Sequence, residues 1–468
     1  SQSGMHYSQS VSQQISPSIA ATRDSELEPI RSGGAVLLGK TTRDRRFGTA
    51  LCAACGLLML WSGRVWMQSN DGKLSTKPTE RDDKAEHPAI GSSNPLRLVF
   101  NGADISLPGS AEPVILRGMN LMFKLGTKGM ASLQRQDRLL ADILPGIKLV
   151  RLILNHWDDD VTHGKDDCLD ERADDYLNPQ CVALFDEVLN WSTASLGAWS
   201  ILTARSALAA GDAGAGHTVF DNTTLRYQWV RMWGAIAKRY TGYDRIVGYE
   251  VMSEPRTFVD TSLVHEVQQQ ACDAIWSFDP RAACVVGATR FYNRFRLNAT
   301  YLLTGGPAIY AANFFAPRTW VLGQNTSNSY GGLFPCCDLY QKDIERQALV
   351  CGGSGPMECR RAPLVRADKM WLQDSLRDVL SFRKYYSVPV WIDQWGVLSA
   401  AKGGAEAIES YLRDILDILD QAQLHWTLWI WRRTYKPPGW TCKGHAVVCQ
   451  TANEIYEINE PLLWHLRK

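Results

Sequence analysis

Between residues 95 and 468, apolar runs of six to eight residues alternate with longer stretches in which apolar side chains return every three or four positions. The runs lie at 114–120, 148–155, 198–205, 246–252, 283–288, 308–315, 388–394 and 424–431, and read as strands. Between them, Leu225, Trp229, Met232, Trp233, Ile236 and Tyr240 recur at helical spacing, as do Ile408, Tyr411, Leu412, Ile415, Leu416 and Leu419. Each pair of strands is separated by enough chain for a crossover helix, so the sheet is expected to be parallel with helices outside it. Eight such units predict an α/β protein with a closed (β/α)8 TIM barrel. An open doubly wound sheet is the competing architecture, but no glycine-rich phosphate loop follows the first strand. Chemistry in a barrel gathers at the C-terminal ends of the strands, so the last residues of each run are the ones to read.

Upstream, the pattern changes three times. Residues 1–46 are rich in Ser, Gln and charge without an apolar period, and read as a disordered tail. Residues 47–67 are almost uncharged, with Leu51, Leu57, Leu58, Met59, Leu60 and Trp61, and follow Lys40, Arg43, Arg45 and Arg46. That arrangement predicts one transmembrane signal anchor with a cytoplasmic tail, hence a single-pass type II protein whose main domain is lumenal or extracellular. A cleaved signal peptide and secretion is the alternative. Residues 68–94, polar and Pro-containing, read as a stalk, which leaves 95–468 as the folded domain.

Charge narrows the partners. Lys and Arg number 50 against 49 Asp and Glu, which argues against a nucleic-acid partner. Cys52 and Cys55 lie in the span; the ten cysteines beyond it fall into close neighbourhoods. Their spacing suggests local disulfides: Cys168 with Cys181, Cys272 with Cys284, Cys442 with Cys449, and two bridges among Cys336, Cys337, Cys351 and Cys359 in an order left open. No His/Cys spacing looks like a zinc site, and no metal or cofactor is expected. Sequons at Asn190, Asn222, Asn298 and Asn325 fit an exported domain.

The strand ends carry the chemistry. The fourth run leads into Gly248-Tyr249-Glu250-Val251-Met252-Ser253-Glu254-Pro255, and the seventh reads Val390-Trp391-Ile392-Asp393-Gln394-Trp395-Gly396. With Leu116-Arg117-Gly118-Met119-Asn120-Leu121, Val150-Arg151-Leu152 and Leu428-Trp429-Ile430-Trp431, these segments resemble family 5 glycoside hydrolases over residues 95–468. The resemblance implies Glu254 as proton donor, Arg151 as support for the nucleophile, and Trp429 as the aromatic floor of a sugar subsite. The nucleophile position holds Gln394. Other positions depart too: Thr203-Ala204-Arg205 stands where Asp-x-His is usual, Ser253 replaces an asparagine, and Asn313-Phe314-Phe315 replaces His-x-Tyr.

These departures point one way. Retention needs two carboxyl groups about 5 to 5.5 Å apart, one acid and one nucleophile. An amide is a very poor nucleophile, Phe315 has no hydroxyl to hold one, and Asn313 does not titrate. Asp393 is adjacent, but strict alternation would turn it towards the helices; a bulge at the strand end would reverse this. The loop with Asp158, Asp159, Asp160, His163, Asp166, Asp167, Asp170, Glu171, Asp174 and Asp175 reads as solvated, with a calcium site or a base for an inverting water as alternatives. Substrate-assisted hydrolysis of an N-acetylhexosamine, with Glu254 as acid and Gln394 and Asn313 orienting the acetamide, is a further alternative. Of the 17 tryptophans, Trp157, Trp320, Trp395, Trp429, Trp431 and Trp440 lie on or near the expected top face, where rings can stack on sugars. The segment 316–363 is expected to form a braced lid or subsite wall. The sequence therefore predicts a carbohydrate-active protein that recognises an oligo- or polysaccharide or a glycoconjugate. It is either a hydrolase with altered machinery or a catalytically silent glycan-binding or scaffold protein.

Overall fold

The computed structural model describes residues 97–123, 140, 142–154, 168–194, 196–204, 218–255, 261–323, 327–339, 350–352, 363–398, 401–434, 447–450, 455–458 and 460–467. They fall within one compact unit, His87–Lys468. The expected tail, membrane span and stalk lie outside the described residues. Among the described residues no helix is long and apolar enough to cross a membrane.

All eight expected strands form: β1 (Arg117–Phe123), β2 (Leu149–Leu154), β3 (Trp199–Ala204), β4 (Ile246–Glu250), β5 (Ala283–Gly287), β6 (Ala308–Phe314), β7 (Val390–Trp395) and β8 (His425–Leu428). They pair in parallel in chain order, and β8 returns to β1 through Trp426 opposite Arg117, which closes the barrel and rules out the open sheet. Outside run α1 (Pro179–Ala194), α2 (Thr223–Tyr240), α3 (Thr261–Trp276), α4 (Lys369–Ser375), α5 (Arg377–Tyr386), α6 (Gly404–Gln421) and α7 (Glu460–Leu466). Helix α2 starts where the Asn222 side chain accepts from the Leu225 N–H, and its Leu225, Trp229, Met232, Trp233, Ile236 and Tyr240 stripe is buried against the barrel.

Alternation within the strands sorts the two cores. Leu149, Trp199, Ile201, Val247, Ala283, Val285, Ile309, Ala311 and Trp391 fill the barrel, while Val150, Leu152, Leu202, Val286, Tyr310, Ala312 and Ile392 face the helices. The first strand begins three residues later than expected. Val114 instead donates its N–H to the Ile105 carbonyl, as part of a hairpin (Val99–Asn101 with Asp104–Ser106) that packs Leu98 and Ile105 against the interior cluster. His425, at the start of β8, accepts from the Leu116 N–H through Nδ1; burial lowers its pKa to about 3, so the ring is a neutral acceptor.

The disulfides Cys168–Cys181, Cys272–Cys284 and Cys336–Cys351 form, each closing a local loop. Loops of this length are stabilised by roughly 3 kcal/mol per bridge. Cys337 is bonded to a cysteine beyond the described residues, and Cys442 with Cys449 lies outside what the structure describes. In the expected wall, 316–363, strand Leu333–Pro335 pairs antiparallel with Leu364–Arg366 just past its end.

Barrel closure depends on a bare backbone at Gly118, where an added Cβ would come within 1.8 Å of the Leu149 carbonyl oxygen. The contact is backbone, so no side-chain rotation relieves it. Gly118→Ala is expected to lower stability by about 1–3 kcal/mol or more, read as a shifted urea midpoint; an unchanged midpoint would mean the β1–β2 spacing is not this tight.

Candidate active site

A buried cation organises the C-terminal end of the barrel. Arg151 on β2 is fully enclosed and donates from Nε to Glu250 Oε2 (2.7 Å) and from Nη2 to Glu250 Oε1 (2.6 Å). It also donates to Asn120 Oδ1 (3.0 Å) and Ser253 Oγ (2.8 Å), and its guanidinium carbon lies 5.4 Å from the Trp391 ring centroid. Burial works against the Arg151 charge, yet Glu250 and Asp393 outweigh it and hold the pKa above its ordinary value. Thr203 Oγ1 donates to Glu250 Oε2 at 2.5 Å. The donors and acceptors come from β1, β2, β3 and β4 with the turn that follows it, so the ion pair also ties these strands together.

Strand β7 is irregular where the chemistry is expected. Ile392 pairs with Ala312, but the next pair to β6 is Gln394 with Asn313, so Asp393 is an extra residue. Its carbonyl leaves the regular ladder and accepts from Asn120 Nδ2 (3.0 Å) and Thr427 Oγ1 (2.6 Å). This corrects the strict-alternation expectation for Asp393. Its carboxylate does not face the helices; it lies in the barrel, 3.3 Å from Arg151 Nη1, at 0 % exposure. Burial pushes the Asp393 carboxyl well above the ordinary carboxylate range, Arg151 opposes this, and Glu250 and Glu254 add to it.

Glu254 follows β4 and is nearly buried, with φ 51, a left-handed conformation that costs a non-glycine residue about 1 kcal/mol or more. Asn313 Nδ2 donates to Glu254 Oε1 at 2.5 Å, so the expected donor carboxyl is held by a hydrogen bond from Asn313. Gln394 stands in register with Asn313, and both carry a buried atom with no partner: Nε2 of Gln394, a donor, and Oδ1 of Asn313, an acceptor. Arg318, four residues past the end of β6, feels the Glu254 charge; burial lowers its pKa and Glu254 opposes that.

The aromatic expectations divide. Trp429 is half-buried at the end of β8, its N–H donating to the Trp395 carbonyl at 2.8 Å, and Phe315 is half-buried after β6. Trp395 and Trp431 are enclosed, Trp395 edge-to-face with Trp426 at 5.4 Å, and neither ring offers a face to a sugar. Trp320 is likewise enclosed among Tyr330 and Tyr411. For these three the correction is packing: each ring is part of the main hydrophobic core cluster. Trp157, Arg205, Trp440 and most of the acidic loop lie outside the described residues; among the described ones no metal-binding group of His, Cys, Asp or Glu is present.

Glu250 and Tyr292 were not singled out from sequence. Glu250 sits four residues before Glu254 at the strand's own C-terminal end, which is a usable signal. Tyr292 closes a run of three left-handed residues, Arg290, Phe291 and Tyr292, and its buried hydroxyl donates to the Met252 carbonyl. Burial, then Glu250 and Asp393, push its pKa well up, so it stays a phenol. A cavity of about 980 Å³ lies elsewhere, on the outer flank among Arg117, Leu416, Trp426 and Trp464, and shares none of this chemistry.

A family model described as Cellulase (glycosyl hydrolase family 5) matches residues 110–434. Among curated proteins none matches the chain in sequence. Endoglucanase Cel5A from the hyperthermophilic Thermotoga maritima is similar in structure, with a TM-score of 0.53 and 14% identity, over 75% of this chain and 96% of that one. A structure of that protein in complex with cellobiose gives 0.51 and 14% over 75% and 97%, and one with mannotriose 0.50 and 15% over 75% and 97%. The cellulose synthase subunit Z from Clostridioides difficile gives 0.51 and 13%, over 76% and 100%. At these identities the likeness is one of fold.

Because folding raises the Asp393 pKa, the folded chain keeps a proton that the unfolded chain releases. The associated stability is complete below about pH 4, the ordinary Asp value, and is lost as pH rises towards the folded pKa. Asp393→Asn is therefore expected to gain about 1 kcal/mol or more at pH 7 and little at pH 4, measured by urea denaturation at both. Equal effects at the two pH values would show that Asp393 is ionised in the fold.

Proposed function

The chain belongs to glycosyl hydrolase family 5, and on that footing we propose that its barrel mouth binds an oligo- or polysaccharide without performing the double displacement of a retaining glycosidase. The observation that carries this reading is the pair of unpartnered buried atoms on adjacent strands, Gln394 Nε2 and Asn313 Oδ1. A buried donor and acceptor left unpaired each cost about 1–3 kcal/mol, and a sugar hydroxyl, which donates and accepts at once, satisfies both. Glu254 beside them supplies a further acceptor, and the half-buried Trp429 a ring to stack under a pyranose.

The same residues argue against ordinary turnover. Double displacement requires a carboxylate to attack the anomeric carbon while an acid protonates the leaving oxygen. Glu254 is the candidate for the second task, but Gln394 carries no charge for the first. Asp393 does not replace it: its carboxyl is sealed from solvent and biased towards the protonated form, and a neutral acid neither attacks nor stabilises a developing oxocarbenium ion. A second reading uses the same two atoms differently. An acetamido group would accept from Gln394 Nε2 and donate to Asn313 Oδ1, so an N-acetylhexosamine could be held for attack by its own carbonyl with Glu254 as acid. The three disulfides support an oxidising compartment for the domain.

Calorimetry of the full chain with cello- and manno-oligosaccharides is expected to show binding that Trp429→Ala weakens about threefold to tenfold, the range of one aromatic contact. A mechanism-based fluoro-sugar is expected to leave no covalent adduct by mass spectrometry. An adduct on any side chain, or affinity indifferent to Trp429, would overturn the reading; turnover confined to N-acetylhexosaminides would select the second.

A further inference from the structure

Resting on the glycan-binding reading of the barrel mouth, we propose that the preferred ligand is an acidic glycan whose anionic substituent, a uronate carboxylate or a sulfate ester, is received by the Arg318 guanidinium. Arg318 follows β6, the strand whose Asn313 holds Glu254, so it belongs to the C-terminal face of the barrel. It is partly enclosed, and among the described residues it makes no ion pair and no hydrogen bond; its Nε is buried with no partner. A guanidinium partly removed from water and left unpaired is costly, and the usual remedy in a folded protein is an anion. Among the described residues none provides an anion within ion-pair distance of it.

The surrounding charges leave that role open to a ligand. Arg151 is neutralised by its two-point pair with Glu250, and Asp393 is biased towards its neutral form. Gln394 is neutral by composition. Glu254 and Arg318 thus bring one acidic and one basic side chain to this end of the barrel, where a pair of carboxylates would repel an acidic sugar. Replacing the second carboxylate by an amide removes that repulsion, and Arg318 adds an attraction. The forked donors of arginine match the two oxygens of a carboxylate or two of a sulfate, which lysine does not reproduce. The loss at position 394 and the cation at position 318 thus act in the same direction, and both change which glycan fits.

The test measures affinities of the full chain by calorimetry for cellotetraose and mannotetraose, for the same sugars oxidised at C6 to uronates, and for their 6-sulfates. The uronate or sulfate forms are expected to bind at least tenfold more tightly than the neutral parents at 50 mM salt, with the advantage shrinking at 500 mM. Whichever anionic series leads identifies the substituent. In Arg318→Gln the anionic-to-neutral ratio is expected to fall to about one, while Arg318→Lys retains part of it; thermal midpoints of both variants report whether they are folded. Equal or weaker binding of the anionic forms overturns the acidic preference and leaves the glycan reading standing. A preference that survives Arg318→Gln assigns it to another cation and overturns the role of Arg318. Absence of binding by every sugar removes both readings together.

Discussion

A guanidinium buried at the end of a barrel must be paired or it unfolds the site. Arg151 is enclosed, and its partners come from β1, β4, the turn after β4 and β7. Removing one partner from such a cluster leaves a buried charge uncompensated, at a cost of about 3–5 kcal/mol. Glu250 is therefore committed to Arg151 and is not free for chemistry, and Ser253 is tethered next to Glu254. The position of Glu254 is thus tied to the pairing of Arg151.

The irregularity in β7 follows from the same network. Asn120 is held by Arg151 through its oxygen, so its amide nitrogen is free to take the Asp393 carbonyl, and Thr427 takes the same carbonyl from the other side. With that carbonyl drawn inward, the regular ladder to β6 slips by one residue and Asp393 faces the barrel beside Arg151. Two negative partners compete for one cation, and the one with the two-point bond and the added Thr203 donor prevails. Asp393 is left as the weaker partner, so burial, with Glu250 and Glu254 adding to it, outweighs Arg151 and raises its proton affinity.

The eight strands and the stripes of α2 and α6 were readable because a parallel barrel imposes a simple pattern: strands buried on both faces and helices apolar along one stripe. The disulfides Cys168–Cys181 and Cys272–Cys284 were readable because near neighbours in sequence had to meet. What escaped depended on breaks in period. Alternation read forward from Trp391 gives Asp393 correctly, but read backward from Gln394 it gives the opposite face, and sequence does not say where the extra residue lies. Trp395 and Trp431 look like ligand rings because they flank the site in sequence, yet both rings are packed in the core. Arg318 carried no motif; that its Nε is buried without a partner among the described residues is a matter of coordinates, which sequence does not show.

The three left-handed residues after β5 have one more consequence. Arg290, Phe291 and Tyr292 bend the backbone against its preference so that the Tyr292 ring lies against Gly287, where even a methyl group would meet it at 2.4 Å. That plug ties the length of one connecting segment to the interior of the barrel. Insertions or deletions there would withdraw the phenol from the Met252 carbonyl, so over evolutionary time this turn is expected to keep its length while surface connections elsewhere drift.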